Sequence, residues 1–267
     1  MRVSIVIPAY NEERHLAACL DAIMAQTVRP FEVIVVDNNS TDKTAAIARC
    51  YPLARVVHEA KQGIVYARNA GFDAARGEII GRIDAEVILP KNWVEHIQAF
   101  YDDERHSNQA WTGMATFYNM YFPRLAGWVY WLLAYGLGRM LMGHYTLWGS
   151  NMALPRSLWR AVRGQVHLRT DIHEDLDLSI HLHHAGYSIV YDGGVNVRAS
   201  LRRIRSDRHK LWSYLQWWPR TLRLHGYKTW VIAWFFGALM LYVLSYIIVL
   251  IDWFRPMVGL KKRPETF

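Results

Sequence analysis

The chain has 267 residues, a formal charge of +8 and two cysteines, Cys19 and Cys50. That length allows one substantial core with a small appendage, and two cysteines exclude a disulfide framework. The whole positive excess lies between residues 198 and 228, where nine Lys or Arg stand against Asp207, so the remainder is neutral. "MRVSIVIPAY" enters a β-branched run directly with no signal-peptide pattern, which reads as a cytosolic amino-terminal part in a reducing compartment.

Taken in chain order, "VSIVIP" reads as a first strand. Asn11 is placed to cap the helix after it, with Glu12 and Glu13 in its first turn and Leu16, Leu20, Ile23 and Met24 on one face. "FEVIVVD" is a second strand, "NNSTDKT" a polar turn into a short helix, and "ARVVH" a third strand. "GIVYARNAGFDAARG" predicts a helix whose small residues let it lie close to a sheet. "EIIGRID" is a fourth strand, and it delivers Asp84 and Glu86 to its carboxyl end. The alternation predicts an α/β layer with a largely parallel, open sheet flanked by helices. Ligands bind such sheets beyond the carboxyl ends of the strands.

Residues 121–148 are aromatic and apolar but broken by Arg124, Gly127, Gly136, Gly138 and Arg139, which reads as an amphipathic segment at an interface or over a site. "GLGRML" within it comes after no strand and is not a dinucleotide fingerprint. "HEDLDLSIHLHHAG" predicts a helix that opens on Glu174 and Asp175. Its histidines (His173, His181, His183, His184) read as a solvated helix face, because no cysteine or second helix of ligands accompanies them. The basic stretch interleaves Trp212, Tyr214, Trp217 and Trp218, a mixture open to nucleic acid, anionic lipid or a phosphorylated substrate. The adjoining segment decides against nucleic acid. Trp230 to Ile251 is 22 residues without a charge, and such a helix rises about 33 Å, enough for a membrane span.

Asp84 and Glu86 alone are open to two readings, surface solvation or a hard divalent cation, Mg²⁺ or Mn²⁺. Their neighbours bear on the choice. Asp37 ends the second strand, and Glu174 and Asp175 begin the late helix, so three acidic clusters sit at strand ends and a helix start. A departing diphosphate needs a divalent ion to offset its charge, and an acceptor hydroxyl needs a base.

Five segments in order, "PAYNEE" (8–13), "VVDNNSTDKT" (35–44), "GIVYARNAG" (63–71), "IDAEVILP" (83–90) and "HEDLDL" (173–178), resemble the family 2 glycosyltransferases over roughly residues 1–200. The resemblance implies a GT-A fold, with 1–105 as the nucleotide-sugar half, 106–200 as the acceptor half and 201–267 as a membrane-proximal appendage. It places Pro8, Ala9, Tyr10 and Glu12 around the nucleoside, Asp37 on the base or ribose, and Arg68 near the nucleotide. Asp84 and Glu86 match the family's Asp-x-Asp, with a longer arm at the second acid; they would hold Mg²⁺ or Mn²⁺, and Asp84 would also face the donor. Asp175, beside Glu174, matches the general base of inverting members. Arg202, Arg203 and Arg205 are candidates for the diphosphate or a lipid phosphate. The Gln-x-x-Arg-Trp element of processive members is absent, since Gln216 and Arg220 stand four apart with no Trp after Arg220.

The expected protein is therefore a membrane-anchored inverting glycosyltransferase with its catalytic part on the cytoplasmic side, where nucleotide sugars are made. The donor would be UDP- or GDP-linked, and the acceptor lipid-linked or a glycan. A nucleotidyltransferase is the first rival, but no Gly-rich basic loop succeeds the first strand. A non-catalytic nucleotide-sugar-binding scaffold is the second, and the intact acids count against it.

Overall fold

The four apolar runs become β1 (Val3–Ala9), β2 (Glu32–Asp37), β3 (Ala54–His58) and β4 (Ile79–Arg82) in the computed structural model. Residues 1–117, 131–200, 208–228, 230, 231 and 239 are described. The four strands pair in parallel in the order β3-β2-β1-β4, with Ala9 level with Asp37 at their carboxyl ends. Parallel strands bury both faces, and here their alternate side chains feed two apolar layers. Val3, Ile5, Ile7, Val33 and Val35 point to one layer; Val6, Ile34, Val36 and Ile80 point to the other. The first is covered by α1 (Leu16–Met24), α2 (Thr44–Arg49) and α4 (Trp93–Asp102). The second receives α3 (Ile64–Ala74), whose Gly71 lies against Val6 and Val36 so closely that any Cβ would collide with them.

The sheet does not stay parallel. Beyond β4, three more strands complete it: β5 (Gln109–Phe117), β6 (Met152–Pro155) and β7 (Ser188–Ala199). β6 runs antiparallel to both β4 and β5, β5 and β7 are parallel, and the order is β3-β2-β1-β4-β6-β5-β7. A short π-helix (Leu132–Leu137) leads into α5 (Gly138–Met142); α6 (Arg156–Val162), α7 (Glu174–His184) and α8 (Arg208–Leu224) come after it. The π-helix is tied to the sheet through Tyr135, whose buried hydroxyl contacts Thr112 Oγ1 and the Gly113 carbonyl, each at 3.1 Å. The packed unit runs on past residue 200, because Leu222 of α8 is buried with Leu176 and Ile180 of α7.

Two expectations need correction. Asn11 does not cap a helix: it has φ 55°, its Oδ1 accepts from the Thr41 amide at 2.8 Å, and α1 begins only at Leu16. A left-handed residue, which Asn tolerates, turns the chain instead. Of the histidines expected on a solvated face, His183 and His184 are exposed, but His173 is buried and the His181 side chain, beside the fully buried Asp177, is only 12% exposed. Arg202, Arg203 and Arg205 lie outside the described residues, as does nearly all of the apolar run from Trp230 to Ile251. Among the described residues no helix is long and apolar enough to cross a membrane.

Candidate active site

β4 ends on Arg82, and the chain carries on as Ile83-Asp84 before turning back, with the Val87 amide donating to the Asp84 carbonyl at 3.0 Å. Residues two apart on an extended chain share a face, so Arg82 and Asp84 point the same way. Arg82 Nη2 meets Asp84 Oδ1 at 2.9 Å. Only 2% of the Arg82 side chain is exposed, a position that demands counter-charge. The start of α7 supplies it: Arg82 Nη2 lies 3.3 Å from Glu174 Oε1, and Nη1 pairs directly with Asp175 Oδ1. Carboxylates at a helix start also gain from the helix dipole. One guanidinium thus ties the end of a strand to the first turn of a helix ninety-three residues away.

The loop between α5 and β6 closes this cluster. The Gly149 amide donates to Asp175 Oδ2 at 2.8 Å, and Ser150 Oγ donates to Asp84 Oδ2 at 2.5 Å. A Cβ on Gly149 would overlap the Arg82 guanidinium and come within 2.6 Å of Asp175 Oδ2, so only glycine allows this approach. The loop is itself held at both ends. The Leu147 amide donates to Ser179 Oγ of α7 at 2.8 Å, and the Trp93 indole donates to Asn151 Oδ1 at 2.8 Å.

Arg82, Asp84, Glu174 and Asp175 form one wall of a cavity of about 400 Å³. Trp148 and Ser150 continue that wall, Gln62 and Gly63 stand at the entrance to α3, and Tyr214 and Trp217 of α8 contribute aromatic faces. The Gln62–Gly63 corner is set by Asn38, whose Oδ1 accepts from the Gly63 amide at 2.8 Å while its Nδ2 donates to the Glu59 and Lys61 carbonyls. Burial pushes Asp175 up to about 7; Glu174 and Asp84 add to the rise, and Arg82 and Arg68 oppose it. For Glu174 burial also opposes ionisation, but Arg82, His173 and Arg68 outweigh it and lower its pKa. Two adjacent carboxyls are thereby driven apart, the pattern that separates a proton acceptor from a fixed anion.

The residues expected around a nucleoside fall into two places. Pro8 and Ala9 are buried at the end of β1, Tyr10 is half exposed, and Glu12 packs against His15. Asp37 ends the neighbouring β2, where Oδ1 accepts from the Ser40 amide at 3.2 Å and Oδ2 lies 3.6 Å from His58. These residues form a rim at the ends of β1 and β2, outside the cavity walls. Arg68 departs from its expected place. It is fully buried, bonds Asn69 Oδ1, and donates to the Glu174 carbonyl at 2.8 Å. Because α3 lies flat on the sheet, this long side chain runs inward and supports the start of α7 from behind. Glu86 is half-buried in the turn after Asp84.

Arg82, Gly149 and Ser150 were not singled out by sequence reasoning. A signal existed for the first: an arginine inside an otherwise apolar strand, two residues before an acid, needs a buried partner. The loop carried no such mark.

The donor set suits a hard divalent ion. Asp84 opens on the cavity with 26% of its side chain exposed, and three carboxylates around one guanidinium leave a net negative charge there; Glu86, two residues on, is not among the residues that line the cavity.

An open α/β sheet with an acidic site at its strand ends, closed by three mixed-direction strands, defines the class: a GT-A-type fold. The sequence profile described as Glycosyl transferase family 2 matches residues 4–153, and the chain belongs to that family. It is 39% identical over 88 residues to the uncharacterized glycosyltransferase EpsJ of Bacillus subtilis, covering 32% of this chain and 26% of that protein. With the glycosyltransferase GlyG of Streptococcus pneumoniae it shares 36% identity over 98 residues, 35% of this chain and 33% of the relative. The chain thus matches only about a quarter to a third of the length of these relatives. Among solved structures, the Pyrobaculum calidifontis mannosyltransferase PcManGT, in complex with GDP-Man and Mn²⁺, superposes with a TM-score of 0.64 at 20% identity. That match covers 98% of this chain and 81% of that one. S. aureus TarS 1–349 in complex with UDP-GlcNAc gives 0.57 at 20% identity, over 84% and 65%. These likenesses show the fold.

Proposed function

We propose that this chain transfers a sugar from a nucleotide-sugar donor to an acceptor hydroxyl with inversion, and that Asp175 is the general base. The observation that carries the proposal is the shared wall: Asp175 and Asp84 face one cavity and are joined through the single guanidinium of Arg82. Asp175 is held by that cation and by the Gly149 amide, so its orientation is set before any acceptor arrives. A base with a pKa near the working pH combines availability with proton affinity. The hydroxyl proton passes to Asp175 as the acceptor oxygen attacks the anomeric carbon, and the nucleoside diphosphate departs on the opposite face. A divalent ion on Asp84 and Glu86 would offset the charge of that diphosphate. PcManGT with GDP-Man and Mn²⁺ and TarS with UDP-GlcNAc support a GDP- or UDP-linked donor and a divalent ion.

Tyr214, Trp217 and Trp148 present aromatic surfaces to the cavity, suited to the apolar faces of sugar rings. We place the acceptor among lipid-linked substrates or glycans at a membrane, with the catalytic part on the cytoplasmic side. The basic stretch 198–228 and the 22-residue uncharged run support that placement.

The test uses the full chain with UDP-, GDP- and dTDP-sugars, Mn²⁺ and a membrane lipid extract, measuring diphosphate release and the anomeric configuration of the product. Release from one donor class, dependent on divalent ion and giving the inverted anomer, is the expected result. A product of retained configuration would overturn the role of Asp175.

A further inference from the structure

Asp177 lies two residues beyond Asp175, about 200° further round the helix, and so faces away from the cavity wall. It is fully buried. Around its Oδ1 stand three imidazole nitrogens: His167 Nδ1 at 2.7 Å, His225 Nε2 at 2.8 Å and His181 Nε2 at 3.6 Å. Its Oδ2 is held by the His167 amide at 2.9 Å. His181 Nε2 is also 3.3 Å from His167 Nδ1. All four donor atoms lie within 4.8 Å of one another. Among the described residues, Asp177 forms ion pairs with histidines alone.

Three imidazole nitrogens and a carboxylate oxygen thus converge on one small, largely buried volume contributed by separate stretches of chain. A cation at the centre would use every one of these atoms at once, each nitrogen offering a lone pair and the carboxylate a charge. We infer that His167, Asp177, His181 and His225 form a structural zinc site. The chemistry selects the metal: three imidazoles and one carboxylate suit Zn²⁺, whereas Mg²⁺ and Mn²⁺ favour oxygen. The geometry agrees in scale. Tetrahedral ligands at about 2.0–2.1 Å from zinc stand about 3.3–3.4 Å apart; four of the six separations here run from 2.7 to 3.6 Å, and all six lie within 4.8 Å.

The site joins three separate stretches. His167 lies in the loop before α7, Asp177 and His181 are one turn apart on α7, and His225 directly succeeds α8. Zinc there fastens the helix that carries Glu174 and Asp175 to the helix that carries Tyr214 and Trp217. The site does not depend on the glycosyl-transfer reading.

The test uses the full chain without a polyhistidine tag, loaded with zinc, dialysed against a weak chelator and assayed for bound metal. We expect about one zinc per chain in the wild type and in Glu86→Gln, and background levels in His181→Gln and His225→Gln. Cobalt substitution of the wild type should give the visible bands of a tetrahedral site, a readout that needs no variant to fold. Stripping zinc should lower the melting temperature of the wild type and leave that of His225→Gln unchanged. A wild type that retains no zinc and shows no cobalt bands overturns the inference. So does zinc retained in both histidine variants, or lost only in Glu86→Gln.

Discussion

The two ends of the sheet hold their functional groups differently. In residues 1–105 the carboxylates Asp37 and Asp84 are delivered by backbone, each at or just beyond the end of an apolar strand levelled by parallel pairing, and Asp84 is then held by Arg82 and Ser150. In residues 109–228 the groups are placed only by contacts that meet across long stretches of sequence. Asp175 is fixed by Arg82 and Gly149, and Tyr214 and Trp217 reach the cavity because α8 docks on α7. A site at strand ends can therefore lose a carboxylate and keep its shape, whereas the second region couples chemistry to packing.

Substitutions can break or sharpen that contrast. The largest effect is expected from Asp84→Asn or Glu86→Gln, which should abolish divalent-dependent turnover while circular dichroism and melting temperature stay near wild type. Full activity of either variant in EDTA would refute the metal role. Arg82→Met should instead strike fold and activity together. It leaves Asp84, Glu174 and Asp175 around a vacated cation site, and breaking one partner of a buried ion pair costs about 3–5 kcal/mol. Denaturant unfolding would measure this, and an unchanged midpoint would remove the guanidinium from its central place.

Gly149→Ala comes next, at about 1–3 kcal/mol for overpacking, since the new methyl meets Arg82 and Asp175. Thr221→Val probes the docking of α8. The Thr221 hydroxyl accepts from the His173 amide at 2.9 Å and donates to the Trp217 carbonyl at 2.7 Å. Leaving a buried amide unpaired costs about 1–3 kcal/mol. A stability loss below that range would mean that the Thr221–His173 hydrogen bond does not hold α8 in place.

The smallest effect concerns pH. Burial opposes ionisation of Asp192, but the Trp111 indole, the Gly194 amide and His96 outweigh it and lower its pKa from the usual 3.8. A depressed carboxylate stabilises above its unfolded value and loses that contribution as pH falls through its folded value. The stability gap between wild type and Asp192→Asn should accordingly be full at neutral pH and close in acid below the ordinary carboxylate range. A gap that widens on acidification contradicts this.

What could be read from the sequence falls along the same division. β1 to β4, the acids at their ends and the acidic start of α7 were legible, because apolar runs and helix starts are local patterns. Arg82 was overlooked because its partners stand up to ninety-three residues away. Asn11 was misread because a capping residue and a left-handed turn residue share one chemistry. His181 looked solvated, like His183 and His184, because His167 and His225, which enclose Asp177 with it, belong to other segments.

Asp175→Asn tests the central claim most directly, through donor affinity and turnover measured on the same preparation. The account predicts nucleotide-sugar binding close to wild type and turnover reduced by about 10²–10⁴-fold. Lost donor binding, with turnover per bound donor preserved, would contradict it and make Asp175 a residue that positions the donor.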